Sequence, residues 1–275
     1  MGIYVDANGL TAALCDVEKP HRTHWRQHQA VKDMSDAESL LRFFEQIHRQ
    51  VGRRYIPVSI VLADPWVHQL MLEFETLPKK STECDTLIRW RLARDWQRDD
   101  EHYAISWQYL GERESRQWIV AQSIEREQLD PLVQAARNHG LMLSGVDTAS
   151  NLLLKHMKYQ ANSILLNLQT DHWSLSLTGE RGWPVYRRAT WQTAPHAGQY
   201  EGFAAQLERM VVAVRPEKIE QLVLVPGVEP EPELYEVLSK RLGQQPQILA
   251  LPGDKTSPQT AQEQLAIQAL GNLCH

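Results

Sequence analysis

The chain opens on a short alternation of apolar and polar positions. Ile3 and Val5 precede Ala7-Asn8-Gly9, and Ala13-Leu14-Cys15 follow. Asn-Gly tolerates the positive φ of tight turns, so the pattern predicts two short strands joined as a hairpin. Residues 18–33 are polar and His-rich and predict a solvated loop. Ser35, with Glu38 three positions on, predicts a capping box. Leu40, Leu41, Phe44, Ile47 and Val51 then recur at helical spacing, and Gly52 supplies a stop. A buried strand is expected over Val58–Ala63, closed by Asp64-Pro65.

Residues 66–142 read as a separate unit. A strand at Val67–Phe74 ends at Leu77-Pro78, and a helix over Ser81–Trp96 carries Leu87, Ile88, Leu92 and Trp96 on one side. Strands at Tyr103–Leu110 and Gln117–Ile124 flank the polar turn GERES, and a second helix with Leu129, Leu132, Val133 and Ala136 stops at Gly140. The order β-α-β-β-α predicts a small α+β module with two helices on one sheet.

After a helix over Thr148–Tyr159 the opening pattern restarts. Short strands are predicted at Ile164–Leu168, Trp173–Thr178 and Val185–Arg188, then a helix at about Gln199–Val214. A buried strand Gln221–Val225, a turn at Pro226-Gly227, a helix Pro232–Leu242, a strand Gln247–Leu251 and a terminal helix Ala261–Leu273 complete the chain. The order β-β-(β)-α-β-α thus occurs twice, with the module inserted in the first copy, as expected of a duplicated α/β architecture. The first lobe is 1–65, completed by 143–160 and 261–275; the module is 66–142; the second lobe is 161–260.

Composition adds exclusions. A hydrophobic fraction of 43% and a charged fraction of 23% suit a globular chain with a buried core. A net charge of -5 gives no polyelectrolyte signal for nucleic acid. No apolar run approaches the roughly 20 residues that cross a bilayer, and the N-terminus lacks a signal-peptide pattern. Cys15, Cys84 and Cys274 have no metal-ligand spacing and read as reduced thiols. The chain is therefore expected in the cytoplasm.

Candidate chemistry is sparse. His21, His24 and His28 have spacings that suit a metal on a helix face, but Pro20 and the lack of supporting ligands favour the loop. Ser-His-Asp catalysis lacks a G-x-S-x-G elbow, the nearest arrangement, Ser144-Gly145-Val146-Asp147, being a strand end. No G-x-x-x-x-G-K loop occurs. The nine tryptophans are more informative. Trp90 and Trp96 fall about 120° apart on one helix, so one packs inward while the other faces out. Most of the nine are expected in packing, though an aromatic-rich surface also suits peptide docking.

The whole arrangement resembles the actin-like PilM proteins of bacterial type IV pili. The resemblance is most specific over 60–154: Ile60-Val-Leu-Ala-Asp to Leu72-Glu-Phe-Glu-Thr-Leu-Pro, the helix ECDTLIRWRLARDW, and WIVAQSIEREQLDPLVQAARNHGLMLSGV leading to Asp147. The closing AIQALGNL is similar too, and the short HofM and MshI proteins look nearest. The resemblance implies an α/β, two-lobed actin-like (ASKHA, ribonuclease H-like) fold with an inserted α+β subdomain.

In ATP-using members of this fold, two hairpins present Asp and Gly to the phosphates and Mg²⁺, and a glycine turn supports the adenosine. Laid on this sequence without gaps, the first hairpin has Tyr4 at the Asp, Asp6 at a Gly and Thr11 at the Lys. A two-residue slip places Asp6 at the Asp and Asn8 at the Gly, still without a Lys. The second hairpin's Asp-x-Gly reads Asn167-Leu168-Gln169, with Asp171-His172-Trp173 where small residues are wanted. The adenosine turn survives as Pro226-Gly227-Val228.

Asp6, Asn8, Gly9, Thr11, Asn167, Gln169 and Gly227 thus outline a degenerate nucleotide cleft with no catalytic residue and no metal ligand. Each also has a local reading: Asn8-Gly9 as a hairpin turn, Asn167 satisfying nearby backbone groups, Gly227 in a strand-to-helix turn. The resemblance implies a scaffold, and the departures from its motif at Tyr4, Thr11, Asn167 and Gln169 lead to the expectation that the chain is not an enzyme and uses neither ATP nor Mg²⁺. It would dock the cytoplasmic N-terminal tail of a PilN-like inner-membrane protein in an MSHA- or competence-type pilus, linking the assembly platform to its motors. It would reach the membrane only through that partner, whereas the similar part of the secretion protein GspL continues into a membrane span. The alternatives are an ATP-binding member with a nucleotide-regulated pilus or type II secretion role, and an actin-like small-molecule kinase.

Overall fold

A computed structural model describes residues 1–6, 9–15, 23–30, 36–52, 56–96, 100–113, 115–156, 162–169, 172–178, 184–190, 195–214, 219–226 and 231–249. The strands are β1 (Gly2–Asp6), β2 (Gly9–Cys15), β3 (Thr23–Gln29), β4 (Ile56–Leu62), β5 (His68–Phe74), β6 (Tyr103–Arg113), β7 (Arg116–Glu125), β8 (Leu141–Thr148), β9 (Ser163–Leu168), β10 (His172–Thr178), β11 (Pro184–Thr190), β12 (Gln221–Pro226) and β13 (Pro246–Ile248). The helices are α1 (Ala37–Val51), α2 (Ser81–Trp96), α3 (Arg126–Asn138), α4 (Ala149–His156), α5 (Tyr200–Val214) and α6 (Pro232–Leu242).

The duplication is visible in the sheets. One five-stranded sheet has the order β3-β2-β1-β4-β8, and the other has β11-β10-β9-β12-β13. In each, two antiparallel hairpin steps are followed by a parallel step, β1 to β4 and β9 to β12. The central strands β4, β9 and β12 read as continuous apolar runs, which suits strands covered on both faces. Leu166, Leu175, Leu222 and Leu224 of the second sheet pack with Phe203, Ala204 and Leu207 of α5 and Leu238 of α6. Helix α4 touches both β4 and β10, with Leu152 and Leu153 buried.

The third sheet, β5-β7-β6, is the inserted module. The i, i+4, i+8 row Cys84, Ile88 and Leu92 of α2 packs with Leu72, Ile119 and Ala121. The chain divides into two compact units, 1–30 with 55–65 and 142–275, and 31–54 with 66–141. Helix α1, grouped above with the first lobe, therefore belongs with the module. Its Phe44 ring stacks on His139, just beyond α3, at 6.3 Å. The sequence predicted an apolar helix face, and that face carries no label for its partner.

Two local expectations are corrected. The polar stretch 18–33 is not all loop, because β3 forms within it and pairs with β2. An edge strand whose one large apolar residue is Trp25 lacks the alternation that announces a strand. Helix α1 is capped by Asp36 rather than Ser35: its Oδ1 accepts from Ser39 N at 3.2 Å. Gly52 does end the helix, at φ 61°. The predicted helix 261–273 lies outside the described residues. Among the described residues no helix is long and apolar enough to cross a membrane.

Candidate functional site

The two hairpins singled out by sequence can now be compared atom by atom. In the first, Asp6 pairs with Gly9. Asn8 and the Asp6 side chain lie outside the described residues. Gly9 has φ 143°, and a Cβ built there would stand 2.1 Å from the Gln29 carbonyl oxygen of β3. Glycine is required here because a neighbouring strand's backbone occupies the space. Thr11 is buried and shares a 2.9 Å hydrogen bond with Nδ1 of His28 on β3. Tyr4, at the expected acid's position, is also buried. His28 is therefore a strand residue used in the sheet, and His21 lies outside the described residues.

In the second hairpin, Gln169 N donates to the His172 carbonyl at 2.9 Å. Asn167 is 0% and Gln169 6% exposed. Asn167 Nδ2 donates to Asp64 Oδ2 at 3.3 Å, and Asn167 Oδ1 accepts from Gln169 Nε2 at 2.7 Å. The expectation that Asn167 serves local backbone groups is thus replaced by a side-chain contact 103 residues away in sequence. His172 and Trp173, which stand where small residues were wanted, are buried, Trp173 in the second-lobe core.

Asp64, in a 3-10 turn just after β4, is the centre of the cluster and is 1% exposed. Its Oδ1 accepts from Ser150 N at 3.0 Å, and its Oδ2 accepts from Ser150 Oγ at 2.7 Å and from Ser174 Oγ. Each hydroxyl has one proton, so with both donating to Asp64 the 3.1 Å Ser150–Ser174 contact brings two acceptor oxygens together. Arg188 of β11 donates to the Asp64 backbone carbonyl. Ser150 sits in the first turn of α4, where backbone N–H groups lack helical partners, and Asp64 accepts from it. The same turn is capped locally. Thr148 Oγ1 accepts from Asn151 N at 3.1 Å, and Asp147 Oδ1 accepts from Thr148 N at 2.9 Å and Asn151 Nδ2 at 2.6 Å.

The sequence marked Asp64 as a strand stop and as the end of a family-like stretch, gave it no site role, and left Ser150 and Ser174 unmarked. The available signal was a carboxylate ending an apolar strand, since a buried acid needs donors nearby. Gly227 lies outside the described residues. In the module, Trp90 is 56% exposed with the Arg94 guanidinium 5.1 Å from its ring centre, while Trp107 donates to Asp85 at 3.3 Å. The Trp96 side chain is not among those described.

No protein-family model and no curated protein sequence matches the chain. Solved structures do. The "PilM-PilN type IV pilus biogenesis complex" aligns with TM-score 0.70 at 12% identity, covering 100% of this chain and 98% of the other. A Bacteroides thetaiotaomicron protein of actin-like ATPase fold aligns at 0.57 and 13% identity, covering 90% and 89%. The cytoplasmic domain of EpsL, an inner-membrane component of the Vibrio cholerae type II secretion system, aligns at 0.54 and 13%, covering 97% and 92%. The fold is the two-lobed actin-like α/β fold.

Proposed function

We propose that this chain is a cytoplasmic scaffold of a bacterial type IV pilus assembly complex, binding the short cytoplasmic tail of a PilN-like inner-membrane protein. The observation that carries the reading is the end-to-end likeness to a PilM–PilN complex, covering 100% of this chain. An MSHA- or competence-type system served by a HofM- or MshI-like protein is the finer form of the same proposal. Attachment to the membrane runs through the partner.

The scaffold works without ATP chemistry. A magnesium–triphosphate group needs free anionic oxygens for the metal and open backbone N–H groups for the phosphates. Asn167 and Gln169 are uncharged and bonded to each other, and the Asp64 carboxylate is surrounded by donors. The space a small residue would leave at Gly9 is taken by the backbone of β3. The second reading, a nucleotide-regulated protein of a type II secretion system, draws on the likeness to the EpsL domain.

A synthetic peptide of a PilN-like protein's cytoplasmic N-terminus, titrated into the purified chain, tests the proposal. Saturable one-to-one binding that a scrambled peptide does not reproduce is expected. No binding by such peptides would remove the scaffold reading.

A further inference from the structure

We propose that Asp64, Ser150, Asn167 and Ser174 form a built-in latch that holds the two sheets of the duplicated core together without any ligand, and that Asn167 is required there as a hydrogen-bond donor. In a fold whose halves face each other, one arrangement dominates only if some set of contacts favours it over the others. Here those contacts are internal. Asp64 lies in the turn that follows β4 of the first sheet, while Asn167 and Ser174 belong to β9 and β10 of the second. Ser150 joins from the helix that touches both sheets. Moving the sheets apart would leave a buried carboxylate and several donors without partners, which costs more than the net worth of any one bond.

Gln169 completes the device. By donating to Asn167 Oδ1 at 2.7 Å it fixes which way the amide faces, so Nδ2 points at Asp64. The chain Gln169 to Asn167 to Asp64 runs in one donor direction, and each bond polarises the next. An acid at 167 would reverse this. It would set a second carboxylate about as close as the present 3.3 Å contact, in a buried site where like charges cannot both ionise cheaply. The residue at 167 and the carboxylate at 64 are therefore chemically linked: where Asp64 is the acceptor, position 167 must donate. The latch needs no knowledge of the partner, and the docking reading can fail while it stands.

The decisive test pairs Asn167→Asp with Asp64→Asn, alone and together, in the full chain. Backbone amide exchange is followed in peptides covering 60–66, 148–152 and 165–176, with and without magnesium ATP. Either single variant is expected to speed exchange in all three segments by about tenfold, as loss of a buried charged hydrogen bond dictates. The double variant, which restores one donor facing one acceptor, should recover part of that protection. Magnesium ATP should change none of the four proteins. Should a single variant fail to fold, its rescue by the double variant supports the latch as well, and Ser174→Ala supplies a milder lesion with the same coupled pattern. The proposal is overturned if Asn167→Asp leaves exchange unchanged, if only the mutated strand loosens, if the double variant is worse than both singles, or if ATP slows exchange in the parent protein.

Discussion

The β1–β2 and β9–β10 hairpins occupy equivalent places in two sheets of the same strand order, yet they solve different problems. In the first, the demand is spatial: β3 runs so close that only Gly9 fits. Its polar residue, Thr11, bonds to the exposed His28, which water can also serve. In the second, the demand is chemical. Asn167 and Gln169 are buried, Gln169 donates to Asn167, and Asn167 donates to Asp64. Equal topology thus leaves residue choice free, and each hairpin's sequence records what its own surroundings require.

The comparison can be broken in a definite order. Asp64→Ala should cost most, about 3 kcal/mol of unfolding free energy by denaturant titration, because several buried donors lose their acceptor together. An effect below about 1 kcal/mol would mean the cluster is dispensable. Gly9→Ala should cost about 2 kcal/mol, since both the positive φ and the clash with Gln29 oppose a methyl group. A stable Gly9→Ala protein would undo the spatial account of the first hairpin. Ser174→Ala should exceed Thr11→Val, at about 1.5 against about 0.5 kcal/mol, because the Thr11 partner is exposed and the Ser174 partner is not. Equal effects would erase the distinction between the hairpins.

The smallest effect lies outside both. The Ser39 hydroxyl, and then its backbone N–H, hold the Asp36 carboxyl below its usual value of 3.8. A depressed folded pKa stabilises above the unfolded value and stops doing so as acid brings the pH through the folded one. The gap in thermal midpoint between the parent and Asp36→Ala should therefore narrow from about pH 5 to about pH 3.

Much of this fold was legible because its signals are local. Apolar runs marked β4, β9 and β12, and Gly52 ended α1 as an αL residue. The repeat was legible because both copies follow one order of elements. What escaped was set by partners distant in sequence. Strand β3 exists because β2 offers it an edge, and α1 joins the module because of its packing near α3. The candidate site was half visible. Asn167 and Gln169 stood out against an expected pattern, but Asp64 lies 103 residues from Asn167, and no local motif connects them. Asp64, Ser150 and Ser174 acquire meaning only when the sheets are assembled.

The central claim is that these positions hold the protein together and do not serve a nucleotide. Calorimetric titration of magnesium ATP into the intact chain tests it most directly. The account predicts no saturable heat up to about 1 mM nucleotide, whereas one-to-one binding with a micromolar Kd would contradict it.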